Sequence, residues 1–256
     1  MSNFAAVVCD IDGVLYTGEQ PIPGAGEALA QLDDAGLRLV FATNNSTREA
    51  DEVAATILRR TGFAATSSQV VSSAMATAHH LRDALTDAFV VGGVGLTATL
   101  EAAGVRCVER WQDAGAVVVG LDPELTYARL ADAALAVRYA GARLVATNTD
   151  PTYPSSRGLL PGGGALVAAL ETATDAVAEV CGKPHEPMRD LLIRVTAPGP
   201  VVIVGDRIDT DMALGWAEGW TTVLTLTGVT SATEAAAANV DHVVASLADV
   251  PGLLGV

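Results

Sequence analysis

Short apolar runs alternate with longer segments of mixed polarity along this chain. The apolar runs have the length of buried strands and predict strands at 4–9, 37–42, 200–204 and 221–226. The mixed segments predict helices at 24–35, 47–60, 186–195 and 209–218, with further helical stretches at 232–239 and 246–255. Because strands and helices alternate, we expect an α/β fold with a Rossmann-like, doubly wound parallel sheet as its core.

A second alternating block lies between Thr43 and Lys183. It predicts a helical stretch at 67–85, strands at 88–91, 105–108, 116–119 and 143–147, and helices at 96–103, 126–140 and 165–173. This block interrupts the first pattern, which resumes after it. We therefore predict an inserted, smaller α/β domain at 78–180, with residues 1–77 plus 181–256 forming the main domain.

Two aspartates directly follow the first apolar run. Asp10 and Asp12 are two residues apart, so they leave the strand in the same direction and converge on one small volume. Gly13 allows the backbone to turn sharply behind them. Crowding two carboxylates is costly unless a cation or phosphate chemistry uses them. An isolated Asp-x-Asp is nevertheless a weak signal, because most such pairs are solvated loop acids or helix caps.

Hydrogen-bond donors and a single lysine follow at two further points. Thr43 and Asn44 end the strand predicted at 37–42 and precede a helix, an arrangement that favours anions. Lys183 is the one lysine among fifteen basic residues, and it lies in a turn between Gly182 and Pro184. Its ammonium is a compact point charge that a planar guanidinium does not replace in a tight contact. Chance alone nevertheless also explains a single lysine at one of the fifteen basic positions.

Three more carboxylates follow the strand predicted at 200–204. They are Asp206, Asp209 and Asp211. Either of the last two suits the N-terminus of the next helix as a capping residue. Capping does not require Asp206. Its place at the strand end therefore indicates a functional role for this carboxylate.

Taken together, these motifs resemble those of the haloacid dehalogenase-like phosphohydrolases, in the NagD-like branch with an inserted type II cap domain. Four motifs match in order along the chain, namely Asp10-x-Asp12-Gly13, Thr43-Asn44, Gly182-Lys183-Pro184 and Gly205-Asp206-x-x-x-x-Asp211. The segment 18–25 is also typical of that branch, and the resemblance spans nearly the whole chain.

The resemblance implies hydrolysis of phosphomonoesters through an aspartyl-phosphate. Asp10 would be the nucleophile. Asp12 would protonate the leaving alcohol and then deprotonate the attacking water. Thr43, Asn44 and Lys183 would stabilise the phosphoryl oxygens, where charge spreads in the transition state.

The resemblance also implies a Mg²⁺ ion held by Asp10, the main-chain carbonyl of Asp12 and Asp206, with Asp211 supporting it indirectly or through a water. The charge of the chain agrees, because a doubly negative substrate would meet five nearby acids and one lysine. A hard divalent cation with oxygen ligands resolves this repulsion. The formal net charge of −15 also argues against nucleic acid as a partner.

The composition indicates an enzyme outside the membrane. Half of the residues are apolar and only 4% are aromatic, so the core consists largely of Ala, Val and Leu. The longest apolar runs are too short to span a bilayer, and no export signal is visible at the N-terminus. The three cysteines form no even framework and no zinc pattern, which favours a reducing cytoplasm.

Several rival functions follow from single features. The segment 93–98 satisfies a G-x-G-x-x-A dinucleotide fingerprint, with Glu109 as a loosely placed acid, but the inserted block is short for a NAD domain. A haloacid dehalogenase would use the first aspartate but does not need an acid two residues later, so Asp12 argues against that function. A phosphomutase would differ only in the acceptor that the cap admits, and a catalytically dead binding protein should lack a charged motif residue.

The segment 148–157 is the predicted selector of the leaving group. It follows a strand of the inserted domain, and Asn148, Asp150 and Arg157 are its candidate contacts. A surface loop shaped by prolines explains the segment equally well. From the family we expect a small polar phosphomonoester such as glycerol 3-phosphate or phosphoglycolate, with a nucleotide or pyridoxal phosphate as the alternative. A homodimer through the cap is compatible with the resemblance.

Overall fold

The structure, a computed structural model, describes residues 4–82, 86–155, 158–196 and 198–256. Its strands are β1 (Ala6–Cys9), β2 (Tyr16–Thr17), β3 (Gln20–Pro21), β4 (Arg38–Thr43), β5 (Val70–Ser72), β6 (Ala88–Val91), β7 (Ala116–Val119), β8 (Arg143–Ala146), β9 (Thr152–Ser155), β10 (Gly158–Pro161), β11 (Glu179–Val180), β12 (Val201–Gly205), β13 (Thr221–Thr225) and β14 (His242–Val244). Its helices are α1 (Ala25–Asp34), α2 (Ala50–Thr61), α3 (Ser73–Arg82), α4 (Val94–Ala102), α5 (Tyr127–Leu135), α6 (Gly163–Thr174), α7 (Glu186–Val195), α8 (Ala213–Glu218), α9 (Ala232–Ala237) and α10 (Val250–Leu254).

The chain divides into two compact units. The first comprises Met1–Thr43, Ala50–Val71 and Arg189–Val256, and the second comprises Asn44–Glu49 and Ser72–Met188. The predicted α/β architecture is confirmed. The predicted domain limits at 78 and 180 stay a prediction. Within the described part of the chain, no helix combines the length and the apolar character needed to cross a bilayer.

A six-stranded sheet has the order β14-β13-β12-β1-β4-β5. The pairings of β1 with β4 and β12, and of β13 with β12 and β14, are parallel. Both β1 and β12 are buried along their whole length. Burial on both faces explains why their sequences are continuous apolar runs and not alternating patterns.

The strand order changes direction beside β1. From β1 the chain adds β4 and β5 on one side, and it returns later to add β12, β13 and β14 on the other side. In sheets of this kind a crevice opens at such a switch point, outside the carboxyl ends of the strands, and ligands bind there. The segments that follow β1 and β12 therefore occupy the position where this fold places a ligand.

The first two helices of the first unit pack closely. α1 buries Ala25, Ala28, Leu29 and Leu32 in the core of this unit. A Cβ on Gly26 would overlap the carbonyl oxygen at the end of α2. Glycine is therefore required at this position for the two helices to approach each other.

The second unit has its own sheet and its own core. Its strands are parallel and have the order β11-β8-β7-β6. Phe89, Val117, Leu144 and Leu170 belong to its hydrophobic core. β9 and β10 form an antiparallel hairpin in the same unit.

The structure corrects two predicted elements. The helical stretch at 67–85 is wrong in its first part, because Val70–Ser72 form β5 and the helix begins at Ser73. The strand at 105–108 is also wrong, since only Cys107 makes an isolated bridge, to Ala88. Strands β2, β3, β11 and β14 and the hairpin of β9 and β10 were not predicted, because they are short and lack the buried apolar run that marks strands such as β1 and β12.

Candidate active site

Three buried carboxylates meet at the carboxyl ends of β1 and β12. Cys9 pairs with Val204 in the parallel register, and the Asp10 N–H donates a hydrogen bond of 2.8 Å to the Val204 carbonyl. One carboxylate oxygen each from Asp10, Asp206 and Asp211 lies within 4.8 Å of the others. The three residues are 7%, 2% and 1% exposed, respectively. The structure thus brings together three of the predicted site residues.

Asp206 is held in place by the loop after β13. The Val229 N–H donates to the Asp206 Oδ2 at 2.7 Å, and the Thr230 N–H donates to the Asp206 carbonyl at 3.1 Å. Backbone donors fix a carboxylate without placing a second charge beside it. This loop therefore orients the Asp206 carboxylate.

Two glycines make room for the Asp206 carboxylate. A Cβ on Gly13, which has a φ of +86°, would lie 2.5 Å from the Asp206 Oδ2, and a Cβ on Gly228 would overlap the same oxygen. Thr227 donates a hydrogen bond of 2.6 Å to the Gly13 carbonyl and ties the two segments together. The role of Gly228 was missed in the sequence, although a glycine three residues beyond the end of an apolar strand was a visible signal.

Asp211 reaches the site from a π-helical turn, Ile208–Met212. Turns of this kind are frequent at functional sites, because they redirect side chains within a helix. The Arg207 N–H donates to the Asp211 Oδ2 at 3.2 Å. A Cβ on Gly205 would overlap the Asp211 side chain, so glycine is needed there.

Asp209 lies outside the buried cluster. Its carboxylate is exposed and accepts two hydrogen bonds from the Arg207 guanidinium, from Nε at 3.1 Å and from Nη2 at 2.9 Å. No side-chain cap is present at the start of this π-helical turn or of α8. The helix cap predicted for Asp209 or Asp211 is therefore wrong. Asp211 instead points into the carboxylate cluster.

The donors in this cluster fit a magnesium ion. Three carboxylates that are buried together repel one another, and a divalent cation removes that cost. Carboxylate and carbonyl oxygens are the ligands that Mg²⁺ prefers. The main-chain carbonyl of Asp12, two residues beyond Asp10, remains the predicted further ligand. Asp12 itself is half-buried and bridges to Tyr16.

Thr43 lies at the end of β4, the strand that pairs with β1. The register aligns Cys9 with Phe41, so Thr43 and Asp10 both leave the sheet at its carboxyl edge. Thr43 is buried. A hydroxyl at this position can donate to an anion at the ends of the strands.

Asn44 and Lys183 form a two-way hydrogen-bonded pair within the second unit. The Lys183 N–H donates to the Asn44 Oδ1 at 2.8 Å, and the Asn44 Nδ2 donates to the Lys183 carbonyl at 3.3 Å. A Cβ on Gly182 would lie 2.6 Å from the Asn44 Oδ1, which explains the glycine before the lysine. Asn44 therefore fixes the main chain of the buried Lys183.

Asn148 and Asp150 support this pair. The Asn148 Nδ2 donates to the Asn44 carbonyl at 2.8 Å, and its Oδ1 accepts from the Asp150 N–H at 3.1 Å. The Asp150 Oδ1 accepts from the Asn44 Nδ2 at 3.3 Å. Asn148 is buried. Arg157, the third residue predicted to contact the leaving group, lies outside the described residues.

Cys181, two residues before Lys183, is not a candidate nucleophile. It is fully buried, and this burial raises the pKa of its thiol to about 12. The thiolate is the reactive form of cysteine. The nucleophile is therefore to be sought among the aspartates of the site.

Comparison with known proteins decides the family. The profile of the haloacid dehalogenase-like hydrolases matches residues 7–106, and a second, HAD-hydrolase-like profile matches residues 180–250. Chronophin from Bos taurus is 41% identical over 248 residues, which cover 90% of this chain and 84% of chronophin. The chain belongs to the haloacid dehalogenase-like hydrolases.

Other members of this family are equally similar. D-glycerol 3-phosphate phosphatase from Mycobacterium tuberculosis is 43% identical over 236 residues, 90% of this chain. The match spans 65% of that phosphatase's length. A structure of glycerol phosphate phosphatase from Mycobacterium tuberculosis, solved in complex with magnesium, superposes with a TM-score of 0.91 at 39% identity, covering 99% of this chain and 80% of that one.

The dinucleotide fingerprint at 93–98 has a packing explanation in this hydrolase. A Cβ on Gly95 would overlap the main chain of Thr47, so the glycine lets α4 approach that segment. Glu109, the acid expected to contact a ribose, is exposed and forms an ion pair of 2.9 Å with Arg129. It follows the segment 105–108, which is not a strand.

Proposed function

We propose that this protein is a Mg²⁺-dependent phosphatase that hydrolyses small phosphomonoesters through an aspartyl-phosphate intermediate. One observation carries the proposal, namely the three buried carboxylates of Asp10, Asp206 and Asp211 within 4.8 Å at the switch point of a parallel sheet. Membership of the haloacid dehalogenase-like hydrolases and the phosphatase relatives support it.

Asp10, Asp206 and the main-chain carbonyl of Asp12 would hold the magnesium ion, with Asp211 supporting them. When bound, the ion neutralises the acids and draws the substrate phosphate towards them. The gathering of three acids in a buried site is the feature that this assignment explains. Similar phosphatases with magnesium in their structures agree with it.

In the first step, a carboxylate oxygen of Asp10 attacks the phosphorus of the substrate. The bond from phosphorus to the ester oxygen breaks as the new bond forms, leaving an acyl phosphate on Asp10. Asp12 donates its proton to the departing alkoxide, which leaves as the alcohol. Asp12 is then a carboxylate.

In the second step, this carboxylate accepts a proton from a water molecule. The water oxygen attacks phosphorus, and the bond between phosphorus and the Asp10 oxygen breaks. Inorganic phosphate leaves, and Asp10 returns as a carboxylate while Asp12 is protonated for the next cycle. Atoms and charges balance without any redox partner.

Thr43 and Lys183 would contact the phosphoryl oxygens of the substrate. A buried ammonium and a hydroxyl stabilise the charge that spreads over these oxygens in the transition state. Asn44 and Asn148 contribute by fixing the main chain around Lys183, as their hydrogen bonds indicate. A preorganised donor stabilises developing charge without reorganisation during the reaction.

The substrate that we propose is a small polar phosphomonoester, such as glycerol 3-phosphate or phosphoglycolate. The similar D-glycerol 3-phosphate phosphatase supports the first of these. We propose residues 78–180 as the cap domain that selects the leaving group, with a homodimer through this cap. We also propose a cytoplasmic location, because Cys9, Cys107 and Cys181 form no disulfide with one another.

Phosphate release from 4-nitrophenyl phosphate, with and without Mg²⁺, tests the proposal. We expect turnover that requires the ion and that falls by on the order of 10³-fold or more in Asp10→Asn, because an amide cannot form the acyl phosphate. Activity that persists after Mg²⁺ has been chelated, or an active Asp10→Asn variant, would contradict the mechanism. A panel of glycerol, glycolate, nucleotide and pyridoxal phosphates then ranks the substrates.

A further inference from the structure

We infer that Arg60 is a positioning residue for the general acid and base, Asp12. The inference rests on the proposed function, in which Asp12 protonates the leaving group. Arg60 lies on α2, outside the four motifs of the active site. It acts through the short hairpin of β2 and β3, which follows the Asp12 loop directly.

The hairpin and the Asp12 loop share main-chain contacts. Asp12 forms an isolated bridge with Tyr16, the first residue of β2. The Gly13 N–H donates a hydrogen bond of 2.8 Å to the Tyr16 carbonyl. Any shift of Tyr16 is therefore transmitted to the backbone of Asp12, which sets the position of its side chain.

Arg60 holds the hairpin at two points. Its guanidinium carbon lies 4.2 Å from the centroid of the Tyr16 ring. Its Nη2 lies 2.5 Å from the Oε1 of Glu19, in the turn between β2 and β3. The Arg60 side chain is 8% exposed and Tyr16 is 4% exposed. One side chain thus spans the hairpin from its start to its turn.

The contact with Tyr16 is the stronger of the two. The Glu19 side chain is 82% exposed, and ion pairs with exposed partners contribute little. A cation over an aromatic ring gains more when both groups are removed from water. The buried ring of Tyr16 is therefore the main point at which Arg60 fixes the hairpin.

A misplaced general acid has a distinctive kinetic effect. An alkyl phosphate releases a strongly basic alkoxide, so its cleavage depends on proton donation. 4-Nitrophenyl phosphate releases a weakly basic phenolate and needs little proton donation. A change that disturbs only the acid therefore lowers kcat for the alkyl ester much more than for the aryl ester. A general loss of structure lowers both by the same factor.

Arg60→Gln provides the test, because it removes the charge and keeps most of the stem. The matched control is Arg59→Gln, which removes the same charge from the neighbouring exposed position of α2. We measure kcat with 4-nitrophenyl phosphate and with glycerol 3-phosphate. In Arg60→Gln, the kcat for 4-nitrophenyl phosphate divided by the kcat for glycerol 3-phosphate should rise by on the order of tenfold. This is smaller than the whole effect of a general acid. Arg59→Gln should leave the ratio unchanged.

Two further variants keep the test independent of folding. Arg60→Lys retains a cation and should restore part of the ratio. Asp12→Asn sets the upper limit of the effect. An equal loss on both substrates in Arg60→Gln, or no loss, would overturn the inference. A wild-type protein that hydrolyses neither ester would instead overturn the proposed function.

Discussion

Two groups of charged side chains in this protein are built in opposite ways. Asp10, Asp206 and Asp211 are buried together at the ends of two strands of the first unit. In the second unit, Glu179 is 43% exposed and is surrounded by bases. The Arg143 Nε donates to the Glu179 Oε1 at 2.8 Å, the Arg143 Nη2 contacts Oε2, and the His80 Nε2 lies 3.0 Å from Oε2.

The difference separates a structural acid from a candidate catalytic acid. The hydrogen bond from Arg143 lowers the pKa of Glu179 to about 2, with a further contribution from His80. This carboxylate is neutralised by the chain itself. The carboxylates of the first unit are gathered beside one another, and the Asp206 carboxylate accepts a hydrogen bond from the backbone N–H of Val229. Like charges held together in a buried site indicate a cation or a phosphate as their partner.

Among the variants that test this contrast, the largest loss of activity is expected at Lys183, where the shape of the cation matters more than its charge. Lys183→Arg keeps the charge but replaces a compact ammonium by a wider planar group in a buried position. We expect kcat to fall by on the order of 10²-fold, comparable to the loss of a preorganised donor. The melting temperature of the same variant should change little. A near-wild-type kcat would mean that Lys183 supplies bulk charge only, as an exposed arginine does.

A smaller effect is expected when the space around Asp206 is filled. Gly228→Ala places a Cβ on the Asp206 carboxylate, which must move. We expect the apparent affinity for Mg²⁺ to fall by on the order of tenfold or more, as in other variants that disturb the orientation of a metal ligand. Mg²⁺ titration of the activity measures this change.

Gly252→Ala is the matched control for that variant. A Cβ on Gly252 would meet no atom within 4 Å. The Mg²⁺ affinity should therefore stay at the wild-type value. If Gly228→Ala behaves like Gly252→Ala, the close approach of the loop to Asp206 has no part in binding the ion.

The smallest effect is expected at the exposed ion cluster. Glu179→Gln should lower the free energy of unfolding at pH 7 by less than about 1 kcal/mol, because the pair is partly exposed. The carboxyl has a pKa of about 2 in the folded protein and an unperturbed value of 4.5. Its stabilising contribution is therefore present above about pH 4.5 and is lost as the pH falls towards 2.

Urea unfolding of wild type and Glu179→Gln at pH 7 and at pH 3.5 checks this window. The difference between the two proteins should shrink at the lower pH, because the unfolded chain then binds a proton at Glu179 that the folded chain, with its lower pKa, largely does not bind. Activity should not change at pH 7. A large loss of activity would place Glu179 among the functional acids and remove the contrast between the two groups.

The predictable part of this molecule depends on signals that are local in the sequence. Asp10 and Asp206 follow apolar runs directly, so the strands and their polar ends were both visible. The strand order then brings these ends together, and Asp10, Asp206 and Asp211 form one cluster, whose roles as metal ligands stay a prediction. The main-chain carbonyl of Asp12 stays a prediction.

The contacts that hold the site could not be predicted, because they join distant positions. The overlap of Gly228 with Asp206 depends on the packing of two loops. Asn148 and Asp150 both bond to Asn44, more than a hundred residues away in the chain, and their contact with the leaving group stays a prediction. β5 lies within a stretch predicted to be helical, because its three residues carry no period.

The sequence pattern also did not predict the turn that carries Asp211. A helix predicted at 209–218 begins in the structure with the π-helical turn Ile208–Met212. The periodicity of apolar residues does not distinguish a wide turn from a regular one over five residues. The position of Asp211 in the cluster follows from that turn.

Thermal unfolding at increasing Mg²⁺ tests the central claim, that the buried acids of the first unit form a metal site, most directly. An ion that binds only the folded chain stabilises it, so the wild-type melting temperature should rise by about 5 °C or more at a hundredfold excess over Kd. Asp206→Asn should lose most of this rise. Asp87→Asn, which removes an acid paired with Arg106 on the surface, should keep it. A wild-type melting temperature that stays constant up to millimolar Mg²⁺, or an equal rise in Asp206→Asn, would contradict the account.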